Sequence, residues 1–141
     1  MCPLPSLIGR ERNPVVSTIR GGSLLRQLRR YQLWRTRQGP FSLIFRCYHS
    51  FWHKFLSVIC GADIPLNSNL GGGLLIPHPQ GIVIHPDSII GPNCLIFQQV
   101  TIGSSGNAMG VPTLAGHVDI GAGAKLLGKI SIGENAKIGA N

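Results

Sequence analysis

Residues 83–103, VIHPDSIIGPNCLIFQQVTIG, repeat a large apolar side chain every six positions. Isoleucine stands at 84, 90, 96 and 102, and the column continues through Leu114, Ile120, Leu126, Ile132 and Ile138. Four residues after seven of these nine positions, a second column holds small or apolar side chains: Ser88, Cys94, Val100, Val118, Ala124, Ile130 and Ala136. A period of six cannot follow one face of a helix, because successive steps rotate around the helix axis. The pattern therefore predicts short strands separated by turns.

The two columns also predict how each coil packs. We expect the first column to point into a core and the second to lie where the chain turns a corner and space is short. Glycine often follows the first column, at 91, 103, 121, 133 and 139, and we expect it to supply the backbone angles of the turn. Each coil then buries its face only against neighbouring coils, which is the arrangement of a solenoid. Cys94 falls in the small column and is predicted to be a core residue and not a nucleophile.

Charge and aromatic content divide the chain near residue 60. Residues 1–60 hold ten Lys and Arg against one Glu, a net charge of +9, whereas residues 61–141 hold three Lys against four Asp and Glu, a net charge of −1. Phe97 is the one Phe, Trp or Tyr after residue 60. We predict a flexible N-terminus over 1–22, a basic helical cap over 23–60 and a solenoid over 61–141.

Two helices are expected in the basic cap. The first spans about 24–37 and begins at a Ser23 cap. The second spans about 41–59, after a break at Gly39-Pro40. Its apolar side chains recur at steps of three or four and form an aromatic face: Ile44, Tyr48, Trp52, Phe55 and Ile59.

The aromatic face and the arginines of the cap allow three kinds of contact. We favour packing of the aromatic face on the next domain, with the arginines left in water. Contact with an anionic membrane surface is the alternative. Nucleic acid is not expected as a partner, because no recognised binding motif accompanies the positive charge.

The cysteine spacing and the first residues of the chain indicate the cellular compartment. Cys2, Cys47, Cys60 and Cys94 show no metal-type spacing, and the first residues lack the apolar core of a signal peptide. No uncharged apolar stretch is long enough to span a membrane. We therefore expect a cytoplasmic protein with reduced thiols and no metal site.

Two breaks in the repeat mark candidate functional segments, since function in repeat proteins is often carried by insertions. From Ile76 to Ile84 the step is eight, so two residues are inserted around PHPQG. Between Ile102 and Leu114, the segment GSSGNAMGVPT predicts a protruding loop.

His78 lies in the first break, and Asp63 precedes it by fifteen residues, roughly one coil. We expect the two side chains to meet on neighbouring coils. A carboxylate that orients an imidazole suits a general base, which takes a proton from a hydroxyl. His85 falls in the glycine column and is expected to be a turn residue, and His117 is expected at the surface.

Three segments, GADIPLNSNLGGGLLIPHPQGIVI, QQVTIG and GAGAKLLGKISIGENAKIGAN, resemble the core of the hexapeptide-repeat acetyltransferases. The resemblance covers residues 63–141 and is to the serine acetyltransferases and their sugar-acetylating relatives. It implies a mainly β fold, a left-handed parallel β-helix of three sides with about 18 residues per coil. It also implies acetyl-CoA as co-substrate, no permanently bound cofactor, and a homotrimer with the CoA groove between neighbouring subunits.

The same resemblance assigns roles to particular residues. His78 matches the catalytic base of the family, and Asp63 matches the carboxylate that pairs with it. Contacts to acetyl-CoA carry over by motif to Gly103, Ser104, Gly121, Ala122, Lys137 and Ala140. The implied reaction is O-acetylation of a small hydroxyl-bearing acceptor, nominally L-serine in cysteine biosynthesis, with a saccharide hydroxyl as the alternative.

Departures from the family concern the acceptor and the CoA site. Pro77 stands where the family carries an aspartate, and Gly110-Val111 replace an Arg-His pair in a loop that is two residues shorter. The missing charged groups favour a saccharide acceptor. The chain also stops at Asn141 in mid-repeat, so we expect a fragment or a degraded form whose CoA site is incomplete.

Two other classes of protein share this kind of fold. A γ-type carbonic anhydrase needs three zinc-binding histidines at a subunit interface, and His78, His85 and His117 do not have the spacing of that family. A non-catalytic scaffold, in which the repeat serves only for assembly, is the other. Metal analysis separates the first from an acetyltransferase, and thiol release from acetyl-CoA separates the second.

Overall fold

In the computed structural model, two helices precede a solenoid of short parallel strands. The structure describes residues 19–106 and 110–141, so most of the segment predicted to be flexible, residues 1–18, lies outside the described residues. Helix α1 spans Ile19–Arg35 and helix α2 spans Pro40–Cys60. Neither of these described helices combines the length and apolarity needed to cross a membrane.

Helix α1 begins five residues earlier than the sequence predicted, so Ser23 lies inside the helix and does not cap it. Leu24 and Leu28 of this helix are fully buried in a core shared with the first coils of the solenoid. A Cβ at Gly21 would collide with the carbonyl oxygen of Ile76, so the helix backbone touches the first coil directly. The apolar face of α1 therefore covers the N-terminal end of the solenoid.

Polar side chains of α1 complete the hydrogen bonding of the first coil. Arg29 donates from Nη1 to the Leu70 carbonyl at 2.6 Å and from Nη2 to the Gly71 carbonyl at 2.5 Å. Gln32 Nε2 donates to two further carbonyls of this coil, at 3.2 and 3.0 Å. The two side chains thus give these part-buried carbonyls the hydrogen-bond partners that backbone groups away from water require. The expectation that the arginines lie in water is therefore wrong for Arg29, whose pKa is lowered by burial.

Helix α2 buries the face opposite to the one predicted. The aromatic face is exposed, and its members keep between 37% and 64% of their surface in water: Ile44, Tyr48, Trp52, Phe55 and Ile59. The buried positions of the helix are instead small or polar: Ser42, His49, His53 and Cys60. The prediction that the aromatic face packs on the next domain is therefore wrong.

Hydrogen bonding to α1 explains this orientation. Ser42 Oγ donates to the Trp34 carbonyl at 2.8 Å, and His49 Nδ1 lies 2.8 Å from Gln27 Oε1. A buried polar group is costly unless it finds a partner. Helix α1 supplies such partners to the polar face of α2 at these two positions, whereas an aromatic face would leave them unused.

The solenoid has three faces, and each is a sheet of parallel strands. Face A holds β2 (Val83–Ile84), β5 (Thr101–Gly103) and β8 (Lys125–Leu127). Face B holds β1 (Asn69–Leu70), β3 (Ile89–Ile90), β6 (Thr113–Leu114) and β9 (Ser131–Ile132). Face C holds β4 (Leu95–Ile96), β7 (Asp119–Ile120) and β10 (Lys137–Ile138).

The first core column is confirmed, and the second is buried from Ser88 to Ala124, whereas Ile130 is exposed. From Ile84 to Leu126, the members of the first column are at most 7% exposed, and Ile132 and Ile138 of the last coil are partly buried. In the small column, Cys94 is fully buried, and its Sγ lies 3.4 Å from the Ala115 carbonyl. Cys94 is thus a core residue, as the repeat predicted.

Glycine in the repeat relieves crowding between coils and does not supply turn angles. A Cβ at Gly91 would lie 2.7 Å from the backbone nitrogen of Gly116 on the next coil. The left-handed backbone angles occur two residues after the glycine column, at Asn93 (φ 57°) and Gly123 (φ 78°), for example. None of the five glycines of the column has a left-handed φ, so their expected role is wrong. Close stacking of the coils explains Gly91 and Gly121, whereas a Cβ at Gly133 or Gly139 would meet nothing within 4 Å.

Helix α2 runs into the first corner of the solenoid without a linker. Gly61, with φ 60° and ψ 34°, ends the helix through N–H contacts to the carbonyls of Ser57 and Val58. The Gly61 carbonyl accepts a hydrogen bond from the Gly81 N–H at 2.7 Å. Gly61 is thus also the first of a column of left-handed corner residues that continues through Gly81, Gln99 and Gly123. Face A begins two residues later, at Asp63, which pairs with Val83.

Candidate active site

His78 lies on an outward bulge of the first coil. Leu75 pairs with Leu95, twenty positions further on, whereas Val83 pairs with Thr101, eighteen positions further on. The two extra residues therefore lie between Leu75 and Val83, where the step of eight placed them. His78 is exposed in this segment.

Two prolines hold the bulge. Pro77 and Pro79 flank His78, and neither has an N–H group to donate to a strand. Pro79 is buried. Pairing between coils resumes at the next residue, where the Gln99 N–H donates to the Gln80 carbonyl at 2.8 Å. The imidazole is thus presented to solvent from a short segment that is anchored at both ends.

Asp63 opens face A on the coil that adjoins the bulge. Its N–H donates to the Ile82 carbonyl at 2.7 Å, and its carbonyl accepts from the Ile84 N–H at 2.9 Å. Because Ile64 is buried, strand alternation points Asp63 outward, and its side chain is exposed. Among the described residues, no hydrogen bond or ion pair joins Asp63 to His78, so the pairing of these two side chains stays a prediction.

A histidine that the sequence reasoning missed is close enough to Asp63 to sense its charge. His53 of α2 is 4% exposed, and its Nε2 makes no hydrogen bond with the described residues. Burial lowers the pKa of His53, and the negative charge of Asp63 opposes that shift without reversing it. His53 is therefore neutral at neutral pH. The available signal was the spacing of His49 and His53, which lie four residues apart and away from the aromatic face.

A depression of about 340 Å³ lies between the end of α2 and the start of face A. It is lined by Ser57, Val58, Gly61, Ala62, Asp63 and Val83. Asp63 supplies the charge of this lining, and the other groups are small, apolar or backbone. The depression has room for a small polar molecule in contact with the Asp63 carboxylate.

Gly103 and Ser104 lie at the far edge of face A. Gly103 ends β5 and is buried, and Ser104 is exposed at the start of the predicted loop. His85 lies on the preceding coil, where a Cβ added to Gly103 would be 3.9 Å from the His85 Cβ. The His85 N–H donates to the Ile102 carbonyl at 2.8 Å, and His85 Nδ1 accepts from the Asp87 N–H at 3.3 Å. His85 is thus a corner residue, as expected.

The other four residues predicted to contact acetyl-CoA lie on face C and at the corner that follows it. Gly121 stacks on Ala140, because a Cβ at Gly121 would lie 2.7 Å from the Ala140 nitrogen. Ala122 follows at the same corner, and its carbonyl accepts from the Asn141 N–H at 2.9 Å. Lys137 is exposed at the start of β10. The six residues therefore form two groups at opposite edges of face A, and one chain does not bring the groups together.

The three solenoid histidines lie at three different corners. His78 precedes face A, His85 follows it, and His117 stands between faces B and C with a left-handed φ of 59°. Within the described ranges, no group of three or more His, Cys, Asp or Glu side chains is placed to hold a metal ion. One chain therefore does not assemble the ligand set that the carbonic anhydrase alternative requires.

The positions that depart from the family lie on the bulge and in the loop. Pro77 is half-buried on the bulge. Gly110 has φ 119°, and a Cβ there would lie 2.7 Å from the Lys129 Cβ, so a larger residue would not fit this backbone. Gln98 lies on the coil next to the bulge, and its Oε1 is buried and makes no hydrogen bond with the described residues. Asn107, a further candidate for holding a hydroxyl, lies outside the described residues.

Comparison with curated proteins finds serine acetyltransferases, although no protein-family model matches the chain. The enzyme of Synechococcus elongatus is 48% identical over 85 residues, which are 59% of this chain and 35% of that protein. The enzyme of Haemophilus influenzae is 42% identical over 113 residues, which are 79% of this chain and 40% of that protein. The chain thus spans less than half the length of these two relatives.

Solved structures agree with the sequence comparison. Soybean serine acetyltransferase complexed with serine superposes with a TM-score of 0.70 at 33% identity, covering 93% of this chain and 55% of that one. Serine acetyltransferases are therefore homologues of this chain, which has the left-handed β-helix fold of the hexapeptide-repeat acetyltransferases.

Proposed function

We propose that the protein is an acetyl-CoA-dependent O-acetyltransferase of the serine acetyltransferase type, with L-serine as the nominal acceptor. The observation that carries the proposal is the exposed His78 on its proline-flanked bulge, one coil from the outward-facing Asp63. The homologous serine acetyltransferases, one of them solved with serine, support the reaction class.

His78 would act as the general base in a direct transfer. The acceptor hydroxyl gives its proton to the imidazole while its oxygen forms a bond to the thioester carbonyl carbon of acetyl-CoA. The carbon–sulfur bond then breaks, and the leaving thiolate takes the proton back from the imidazolium. Backbone N–H groups near Gly103 of a neighbouring subunit would stabilise the oxyanion that forms between these steps, because Gly103 and His78 lie at opposite edges of face A in one chain. Neither step leaves an acyl group on the protein.

Asp63 would support His78 as an electrostatic partner. Its carboxylate projects from the coil next to the bulge, and both side chains are exposed and able to rotate. A carboxylate beside the imidazole favours the imidazolium that forms during the transfer. The depression of about 340 Å³ would place the acceptor beside the Asp63 carboxylate.

A homotrimer would complete the acetyl-CoA site. Gly103 and Ser104 lie at one edge of face A, and Gly121, Ala122 and Ala140 lie at the other. A groove between neighbouring subunits can use one edge from each subunit, which a single chain cannot do. Small residues suit the groove because the pantetheine arm needs a close approach to the backbone. Lys137 is exposed beside this edge and would meet the negatively charged part of CoA.

A saccharide is the second candidate acceptor, and it is favoured by the lack of charge on the bulge and in the loop. Pro77, Gly110 and Val111 offer no partner to the carboxylate and ammonium of serine, and an unpaired buried charge is costly. A sugar brings only hydroxyl groups. Gln98 lies on the coil next to the bulge and is partly exposed, and its Oε1 makes no hydrogen bond with the described residues, so with the side chain turned outward it would suit a sugar hydroxyl.

The test is thiol release from acetyl-CoA, screened over L-serine and a panel of sugars. We expect activity with a high KM for serine and with at least one sugar used as well as serine, judged by the ratio of kcat/KM values. A ratio that favours serine by a hundredfold, about 2.7 kcal/mol, would remove the saccharide candidate and leave the serine reaction. No thiol release with any acceptor would contradict the whole proposal and favour the scaffold alternative.

A further inference from the structure

Helix α2 leaves a continuous apolar surface uncovered. Ten large side chains keep between 37% and 82% of their area exposed and together form what we call the α2 surface: Phe41, Leu43, Ile44, Phe45, Tyr48, Phe51, Trp52, Phe55, Val58 and Ile59. Soluble proteins rarely expose a contiguous apolar patch of this kind unless it meets a partner or a membrane.

The aromatic rings of the α2 surface support one another. Trp52 makes edge contacts with Tyr48, Phe51 and Phe55, with ring centroids 6.3, 6.2 and 5.6 Å apart. Such contacts hold the rings at the surface without burying them. The surface is therefore formed before any partner binds.

Basic side chains border the α2 surface on both sides. On one side, a groove of about 540 Å³ between the helices is lined by Arg30 and Arg37 together with Phe45 and Tyr48. On the other side, a groove of about 430 Å³ is lined by Arg46 and Lys54 together with Phe51, among others. Both grooves thus place cations beside the aromatic rings.

No acidic residue offsets this charge within the two helices. Residues 19–62 hold eight basic residues and no Asp or Glu: Arg20, Arg26, Arg29, Arg30, Arg35, Arg37, Arg46 and Lys54. The solenoid, in contrast, has a net charge of −1 over residues 61–141. Asp63 lies beside Val58 at the C-terminal end of the surface, and the borders along its two grooves carry cations. A surface that is apolar at its centre and cationic along both sides complements an anionic membrane, whose acyl chains lie beneath a layer of phosphates.

We propose that the α2 surface docks on an anionic lipid bilayer, with α2 lying in the plane of the interface. The aromatic side chains enter the boundary between headgroups and acyl chains, and Arg30, Arg37, Arg46 and Lys54 contact lipid phosphates. A second copy of the chain is a poorer occupant, because two such surfaces that met face to face would bring together cations with no acidic partner.

The test is co-sedimentation of the full chain with vesicles. We expect binding to vesicles of phosphatidylcholine and phosphatidylglycerol in a two-to-one ratio, weak binding to phosphatidylcholine alone, and weaker binding at high salt. The Phe51→Gln/Phe55→Gln variant should lose binding without losing its fold, because both side chains are exposed. Binding does not depend on acetyltransferase activity, so either proposal can fail without the other.

Two charge variants provide the matched comparison. Arg30→Gln/Arg37→Gln should weaken binding to the anionic vesicles, by about fivefold for each charge removed near the bilayer. Lys129→Gln/Lys137→Gln removes the same charge from exposed positions of the solenoid and should change binding little. Equal losses for the two variants, or no binding of the wild-type chain to anionic vesicles, would overturn the proposal. A change in oligomeric state of Phe51→Gln/Phe55→Gln in sedimentation, together with no vesicle binding, would assign the α2 surface to a second copy.

Discussion

The solenoid and the helical hairpin formed by α1 and α2 differ in which side chains they bury. In the solenoid, isoleucine, leucine and valine fill most of the interior, where the buried polar side chains among the described residues are Ser68 and Ser88. In α2, Ser42, His49 and His53 are buried, while phenylalanine, tyrosine and tryptophan face outward. Both regions are periodic in sequence, so periodicity alone does not decide which face is buried.

The difference lies in what each periodic face can pack against. A solenoid coil meets other coils of the same pattern, so its apolar column closes on itself. Helix α2 meets α1, whose nearby groups include the Gln27 side chain and the Trp34 carbonyl. Those polar groups attract the polar face of α2 and leave the aromatic face for a different environment.

The largest expected effect is on turnover, which should fall with substitutions at the solenoid site and not with one in α2. His78→Ala should lower turnover by about 10²–10⁴-fold, because it removes the general base. Asp63→Asn should lower turnover less, since it weakens the stabilisation of the imidazolium and keeps the proton acceptor. Steady-state thiol release measures both variants, with Phe51→Gln in α2 as the control that should keep its activity. Unchanged turnover in His78→Ala would refute the mechanism for any acceptor.

The next effect is on the free energy of unfolding, compared between one isoleucine of the solenoid and one of α2. Ile96→Ala should lower the free energy of unfolding by about 2–5 kcal/mol, because the side chain is fully buried and leaves a cavity. Ile44→Ala should change it by less than about 0.5 kcal/mol, because Ile44 is 64% exposed. Urea denaturation measures both values. Similar losses for the two variants would mean that the α2 surface is covered in solution.

A smaller effect tests how the two regions are joined. Arg29→Met removes both hydrogen bonds to the Leu70 and Gly71 carbonyls and should cost about 1–3 kcal/mol of stability. Arg30→Met, at the adjacent exposed position, should cost little. The same denaturation experiment compares them. An equal cost would show that Arg29 acts through its charge and not through the carbonyls of the first coil.

The smallest effect concerns pH. Burial lowers the pKa of His53 in the folded chain, so the unfolded chain binds a proton first as the pH falls. The stability contributed by neutral His53 is therefore complete above the unfolded value of about 6.5 and is lost as the pH drops below it. Denaturation at about pH 7.5 and about pH 5.5 should show this loss, and His53→Gln should reduce it. An unchanged slope in His53→Gln would contradict the assignment.

The sequence predicted the solenoid better than the hairpin, for a physical reason. The six-residue columns are set by contacts between copies of one pattern, and the step of eight located the bulge of His78 to within a few residues. Which face of α2 is buried depends on hydrogen bonds to α1, and a pattern within α2 alone does not contain that information. The nearness of His53 to Asp63 was missed for the same reason, because it arises where α2 meets face A. The glycine column was recognised, but its members do not supply left-handed turn angles, and at Gly91 and Gly121 the cause is the close stacking of coils.

Gly61 belongs both to α2 and to the solenoid. The orientation of the helix is therefore coupled to the register of the first coil. Gly61 ends α2 in the left-handed conformation and also occupies the first corner of the solenoid. One residue inserted here would rotate α2 by about 100°, and one deleted would turn Asp63 from the outside of face A to the inside. Insertions and deletions at this point are therefore not tolerated as they are in an ordinary linker. If the α2 surface lies on a bilayer, the same residue sets the angle at which the solenoid and His78 stand above it.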